Sequence, residues 1–232
     1  MLVFTDCRLD PKALQTLCEF GHTPIPCPPH PLLDAPIASH PDLLLFLTDD
    51  RILTHADYAP ALAPALPLET ISEQLGQKYP RDVLLDAALV GNHLVCRPDA
   101  TSQALLAYAK EKGATVLPVR QGYAKCNLCI VSENAVITED PSIARALSAV
   151  GTDVLHVAPG HVRLPGYPYG FIGGASGCDG EHVFFCGDLS LHPDGARIAA
   201  YCRLHGKIPI SLCPGELCDA GSLLFFDAGS GD

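Results

Sequence analysis

Three segments of this chain line up without a gap: residues 113–122, 151–160 and 206–215. They read Gly-Ala-Thr-Val-Leu-Pro-Val-Arg-Gln-Gly, Gly-Thr-Asp-Val-Leu-His-Val-Ala-Pro-Gly and Gly-Lys-Ile-Pro-Ile-Ser-Leu-Cys-Pro-Gly. Each opens on Gly, alternates apolar residues through a short strand, and closes on Gly. A helical pattern precedes each one, over Pro98–Lys112, Pro141–Val150 and Pro193–His205. Self-similarity on this scale means a chain assembled from one supersecondary unit. Asp10–Gly21 followed by Thr23–Cys27 repeats the plan near the start. Asp10-Pro11 and Asp140-Pro141 place an N-cap acceptor before a proline at the first helical position, which suits the orphan amides of a helix start.

A strand hairpin precedes the helix of each unit. Leu43–Leu47 turns at Asp49-Asp50 into Arg51–Thr54, and Val83–Val90 turns at Gly91-Asn92 into His93–Cys96. Leu128–Val131 turns at Glu133-Asn134 into Ala135–Thr138, and Ile172–Ser176 turns at Cys178–Gly180 into His182–Cys186. The first strand, Leu2–Thr5, lacks a partner before it, and the last, Ser222–Phe226, lacks one after it. Those two are expected to pair and close a ring, which also protects the sheet edges. The second unit is degenerate: Pro60, Pro64 and Pro67 break its helical pattern, and Glu69–Gln77 is expected to supply a short helix instead. The expected fold is α/β, a pseudo-fivefold propeller of ββαβ modules, with residues 1–232 as one domain of about five repeats.

Composition narrows the function classes. The net charge is −11 and no cluster of Lys and Arg occurs, which argues against nucleic acid as a partner. No apolar run approaches membrane-spanning length, and the first ten residues carry Asp6, Arg8 and Asp10, so neither a membrane segment nor a leader peptide is expected. Eleven cysteines in a chain of 232 residues, an odd number, fit reduced thiols in a cytoplasmic protein better than a disulfide framework.

The stretches Gln121–Val131 and Pro159–Gly177, with the ending Asp219–Phe226, resemble a bacterial family assigned to the guanidino-group-modifying enzyme, or pentein, fold. The resemblance covers essentially the whole chain. Arginine deiminases, agmatine deiminases, amidinotransferases and dimethylarginine hydrolases share that fold, and so does a non-enzymatic ribosome-associated factor. The enzymes use a cysteine nucleophile near the C-terminus, a histidine from an H-x-D motif, and carboxylates that grip the guanidinium. This sequence departs from the pattern. Leu224 or a neighbour stands where the nucleophile is implied, and the third hairpin opens on Lys125-Cys126-Asn127 rather than on an H-x-D.

A ring places equivalent residues of its units around one centre. At or before the first hairpin strands stand Asp42, Asp82, Cys126-Asn127, Gly173–Ser176 and Asp219–Ser222. Clustered carboxylates suit a guanidinium or ammonium ligand. Cys126 beside Lys125 is the candidate nucleophile, because a neighbouring cation stabilises a thiolate. His161, at the exit of a repeat strand, is the candidate acid/base. Asp42, Asp82, Asn127 and Asp219 are the candidate substrate-binding groups, joined by Tyr169 of the insertion Val162–Phe171, which reads as a lid. Cys126 and Cys129 lie three apart, so on a strand they would face opposite sides, and no metal or other cofactor is expected. The expected function is a Cys-dependent hydrolase or transferase acting on a small guanidino- or amine-containing cation. The alternative is a non-catalytic binding protein on the same fold.

Overall fold

The structure, a computed structural model, describes residues 1–227. Five three-stranded sheets make up its β structure, and all five share one plan. A central strand pairs antiparallel with the strand on one side and parallel with the strand on the other. In chain order the first sheet contains β1 (Leu2–Asp6) and β2 (Thr23–Cys27), joined by α1 (Pro11–Glu19). The second follows a short helix α2 (Pro41–Leu44) and consists of β3 (Leu45–Leu47), β4 (Ile52–His55) and β5 (Leu68–Ile71). The third has β6 (Ala88–Val90), β7 (His93–Cys96), α3 (Gln103–Glu111) and β8 (Thr115–Pro118). The fourth has β9 (Leu128–Ser132), β10 (Ala135–Thr138), α4 (Pro141–Ala149) and β11 (Asp153–His156). The fifth has β12 (Ser176–Cys178), β13 (His182–Phe185), α5 (Gly195–Leu204) and β14 (Ile208–Ser211). The last strand, β15 (Leu224–Phe226), returns to the first sheet and runs antiparallel to β1, with Leu2 opposite Phe226.

Local chemistry accounts for the helices. The Asp10 carboxylate accepts from the amide of Lys12, Ser102 accepts from Ala104, and Asp140 accepts from both Ser142 and Ile143. Gly113 and Gly151 leave α3 and α4 with φ of +69° and +89°, a conformation that costs other residues a Cβ clash. These glycines then hand the chain to the outer parallel strand two residues later.

Five hydrophobic clusters close the ring, and each bridges two consecutive units. Phe4 and Cys27 pack with Leu44 and Ile52 between the first and second units. Leu53 and Ile71 meet Leu94 and Leu105 between the second and third. Val90 and Val95 meet Val136 and Leu147 next, then Ile137 and Val131 meet Phe185 and Ile198. Phe184 and Leu212 finally meet Val3 and Leu17, which brings the fifth unit back to the first. Burying a side chain of this size removes about 2 kcal/mol of unfavourable apolar exposure, so each unit is stabilised by its neighbours on both sides.

Four expectations need correction. The strand expected over Leu43–Leu47 is only Leu45–Leu47, because Leu43 and Leu44 close the last turn of α2. Glu69–Gln77 is not a helix: Leu68–Ile71 is the parallel strand of the second sheet, and a 3-10 turn at Ala59–Ala61 replaces the crossover helix. The strand expected over Val83–Val90 is only Ala88–Val90, because residues 83–87 fold into hydrogen-bonded turns, Asp86 N to Val83 O and Ala87 N to Leu85 O. The strand expected at Ile172–Ser176 begins only at Ser176, the run before it being a turn closed by Ala175 N to Phe171 O. In both units the residues lost from the strand form the loop that faces the centre of the ring. No helix among the described residues is long and apolar enough to cross a membrane.

Candidate active site

The segments entering the first hairpin strands of the five units come together, linked one to the next by hydrogen bonds. Asp42 N donates to Gly221 O at 3.0 Å, and Ser222 Oγ donates to Asp42 Oδ2 at 2.7 Å. The amides of Lys125 and Cys126 donate to Asp86 Oδ1 at 2.5 and 3.3 Å. Gly174 N donates to Cys126 O, and Ala220 N and Ser222 N both donate to Gly174 O. Gly173 has no alternative here: a Cβ would lie 2.5 Å from Leu128 N and from Lys125 O. The Gly-rich run therefore serves close packing of one loop on another.

Cys126 stands at the junction. Its Sγ lies 3.1 Å from Asp42 Oδ2 and 3.0 Å from Asp86 Oδ2, and all three residues are buried. Lys125 Nζ donates to Ser222 Oγ at 2.9 Å and to Leu128 O at 3.4 Å, and the lowering of the thiol expected from this cation is outweighed at Cys126. Burial, followed by the Asp42 and Asp86 charges, pushes the Cys126 thiol well above its ordinary range. Burial and Asp42 likewise push the Asp86 carboxyl well up.

A small cavity of about 130 Å³ is lined in part by Cys126. Its walls are Cys126, Asp219 and His40, the aromatic rings of Tyr123, Tyr167, Tyr169 and Phe171, and the aliphatic side chains of Ile37, Leu43 and Leu164. Asp219 is held by the amides of Phe171 and Gly221, at 2.9 and 3.0 Å, and burial raises its carboxyl to about 6. His40 lies between two carboxylates, with Nδ1 3.7 Å from Asp219 Oδ1 and Nε2 3.9 Å from Asp6 Oδ2. Its backbone is pressed against Gly221, where a Cβ would come within 2.4 Å of the His40 Cα.

Of the groups expected here, Cys126, Asp219 and Tyr169 line the cavity, and Asp42 stands behind the thiol. Asp82 and Asn127 do not line it. Asp82 accepts from the Tyr123 hydroxyl at 2.7 Å, and Asn127 Nδ2 donates to Tyr123 O at 3.0 Å, so both fix the Tyr123 wall. His161 is displaced altogether. It is exposed, and its ring lies 5.6 Å from that of His192 in a surface depression shared with Arg163, Pro168 and Glu216. The reason is topological: His161 follows β11, the outermost strand of its sheet, whereas the centre is built by residues that precede the hairpins. Cys129 faces the apolar core of β9 and β10 and shares no site with Cys126. The sequence reading missed Asp86 and His40. Asp86 was hidden inside an expected strand, whereas His40 lies two residues before Asp42, which was singled out.

The chain belongs to the Family of unknown function (DUF6873), whose model matches residues 4–224. No curated protein matches it. Among solved structures it is similar to the agmatine deiminase of C. jejuni, with 8% identity, a TM-score of 0.53, and coverage of 91% of this chain and 87% of that one. A cysteine-to-serine variant of the dimethylarginine dimethylaminohydrolase of Pseudomonas aeruginosa, complexed with citrulline, gives 9% identity, a TM-score of 0.51, and coverage of 90% and 91%. A histidine-to-glycine variant of a dimethylarginine dimethylaminohydrolase, as an adduct with S-methyl-L-thiocitrulline, gives 12% identity, a TM-score of 0.51 and the same coverage. Likenesses at such identities establish the fold, which is the pentein fold, and leave the chemistry to the residues of this chain.

Proposed function

We propose that this protein acts on a small organic cation of the guanidino or amino class, with Cys126 as the nucleophile. One observation carries the reading: Cys126 lines a cavity walled by four aromatic rings and the Asp219 carboxylate, and two further buried carboxylates stand within 3.1 Å of the sulfur. Aromatic faces and carboxylates together attract a desolvated cation. The carboxylates repel an anion. Proteins of this fold include agmatine deiminase and dimethylarginine dimethylaminohydrolase, whose named substrates carry guanidino groups.

The raised thiol fits this order of events. Alone, the sulfur keeps its proton because burial, and after it the charges of Asp42, Asp86 and Asp219, oppose a thiolate. A bound cation reverses that balance, and the proton passes to Asp86 or Asp42. The sulfur lone pair then attacks the electron-poor guanidino carbon. The carbon–nitrogen bond to the leaving amine breaks as His40 supplies a proton to that nitrogen. Water next adds to the carbon held on sulfur and gives a proton back to His40. The carbon–sulfur bond breaks, the thiolate takes back the proton held by Asp86 or Asp42, and a urea-type product leaves. Asp219 orients the cation throughout.

A matched pair of alkylating agents tests the reading. Chloroacetamidine carries an amidinium, and chloroacetamide is its neutral counterpart with the same leaving group. At neutral pH chloroacetamide should modify the exposed Cys7 and Cys18 before Cys126. Chloroacetamidine should reverse that order, as read by peptide mass mapping. Equal preference for both agents would sink the proposal. Selective labelling without turnover of any guanidino compound would favour the non-catalytic binding alternative.

A further inference from the structure

We propose that Asp42, Asp86 and Cys126 form a binding site for one divalent cation of zinc-like softness. Oxygen from each carboxylate and the sulfur lie within 4.8 Å of one another, and all three side chains are buried. A second feature points to a ligand independently. Asp42 is 1% exposed, and its Oδ1 has no hydrogen-bond partner among the described residues. A buried carboxylate oxygen left unpaired is costly, and a cation held by both oxygens of Asp42 would remove the cost.

The geometry is close to what zinc requires. Zinc–sulfur and zinc–oxygen bonds of about 2.3 and 2.1 Å in a tetrahedron separate the donors by about 3.6 Å. The observed separations of 3.0 and 3.1 Å need to open by only about half an ångström to admit the ion. Asp86 is already oriented, since its Oδ1 accepts the amides of Lys125 and Cys126 and leaves Oδ2 for the metal. Charge also balances. Two carboxylates and a thiolate oppose the divalent ion and Lys125, which reaches Asp42 through the Ser222 hydroxyl. Sulfur among the donors disfavours magnesium and calcium, which take oxygen ligands.

Metal binding removes the Cys126 lone pair from nucleophilic work, so zinc should inhibit the protein reversibly, a consequence that rests on the function proposed above. The metal site itself is tested without any organic substrate. Cobalt(II) is titrated into reduced, chelator-treated full-length protein and the near-ultraviolet thiolate-to-cobalt band is followed. We expect one equivalent per chain with that band, displaced by zinc. Cys126→Ser should abolish the band and Cys129→Ser should keep it. Asp42→Asn, which preserves volume and serves where Cys126→Ser fails to fold, should weaken binding at least tenfold. Absence of stoichiometric binding, a band that survives in folded Cys126→Ser, or unchanged affinity in Asp42→Asn would overturn the proposal. Alkylation by chloroacetamidine in the presence of chelator reports on the catalytic reading alone, so the two fail separately.

Discussion

Ser222 and Asp42 lie 180 residues apart in sequence, yet the Ser222 hydroxyl donates to Asp42 Oδ2 at 2.7 Å in the buried centre of the ring. The contact ties the entry to β15 to the start of the second unit. The same hydroxyl lies 3.0 Å from Gly173 O and receives Lys125 Nζ at 2.9 Å. Ser222 is also the one non-glycine residue with positive φ, +67°, among those described. That conformation strains an L-residue.

Two substitutions separate these effects. Ser222→Ala keeps the strain and loses the hydrogen bonds, and should cost about 1–3 kcal/mol of stability. Ser222→Gly loses the same bonds but relieves the backbone, so it should be the milder change by up to about 1 kcal/mol. Urea denaturation of the pair measures the difference. A glycine variant less stable than the alanine variant would show that the positive φ at position 222 costs no measurable strain.

Gly174→Ala aims at the substrate-binding carboxylate. A Cβ at Gly174 would lie 2.1 Å from Asp219 Oδ1. Asp219 cannot swing aside without breaking its bonds to the amides of Phe171 and Gly221. Overpacking of this kind costs about 1–3 kcal/mol. It should also remove the preference of Cys126 for chloroacetamidine over chloroacetamide, while Gly113→Ala, far from the cavity, should leave that preference alone. Mass mapping of the labelled peptides provides the measurement.

The repeat was legible because glycine, apolar alternation and N-cap chemistry act locally. A helix such as Pro141–Ala149 is specified by Asp140 ahead of it and Gly151 behind it. The centre was only partly legible. Cys126, Asp42 and Asp219 shared a repeat position and could be grouped on that ground. Asp82 shared it too, but a carboxylate one turn away from Asp86 can point either to the sulfur or to the back of a tyrosine, and only packing decides. Asp86 lay inside an apolar run that read as strand, and its turn is fixed by the amides of Lys125 and Cys126 from another unit. His161 looked functional because strand exits often carry function, but in this ring the outer strands exit at the periphery.

His40 and His161 can be told apart directly. If a guanidino substrate is found, His40→Gln should lower kcat by about 10²–10⁴-fold, the usual contribution of a positioned acid or base. Affinity for the cation should change much less, because Asp219 and the aromatic walls remain. His161→Gln should match wild type in both respects, since that ring lies with His192 in a separate surface depression. Steady-state kinetics of the two variants decide it. A large kcat loss in His161→Gln with His40→Gln active would reverse the assignment.

Glu139 gives the fold a measurable dependence on pH. Its side chain is buried, Oε2 accepts from Ile172 N at 3.2 Å, and Oε1 has no partner among the described residues. Burial raises this carboxyl from 4.5 to about 7, against the opposing pull of the Ile172 amide. The folded protein therefore holds a proton that the unfolded chain releases near pH 4.5. Stability must fall as pH rises from about 4.5 to about 7, and the full penalty, at most about 3 kcal/mol, applies above that. Asp219, raised to about 6, adds a loss of the same sign that is complete at lower pH. Glu139→Gln keeps an acceptor for Ile172 and cannot ionise. It should remove the Glu139 share of the decline between about pH 4.5 and 7, leaving the smaller loss that belongs to Asp219 and ends near pH 6. At pH 8 it should be more stable than wild type, and near pH 4.5 the two should converge. Urea unfolding across this range tests the assignment, and a parallel pH profile for wild type and Glu139→Gln would show that another group carries the proton.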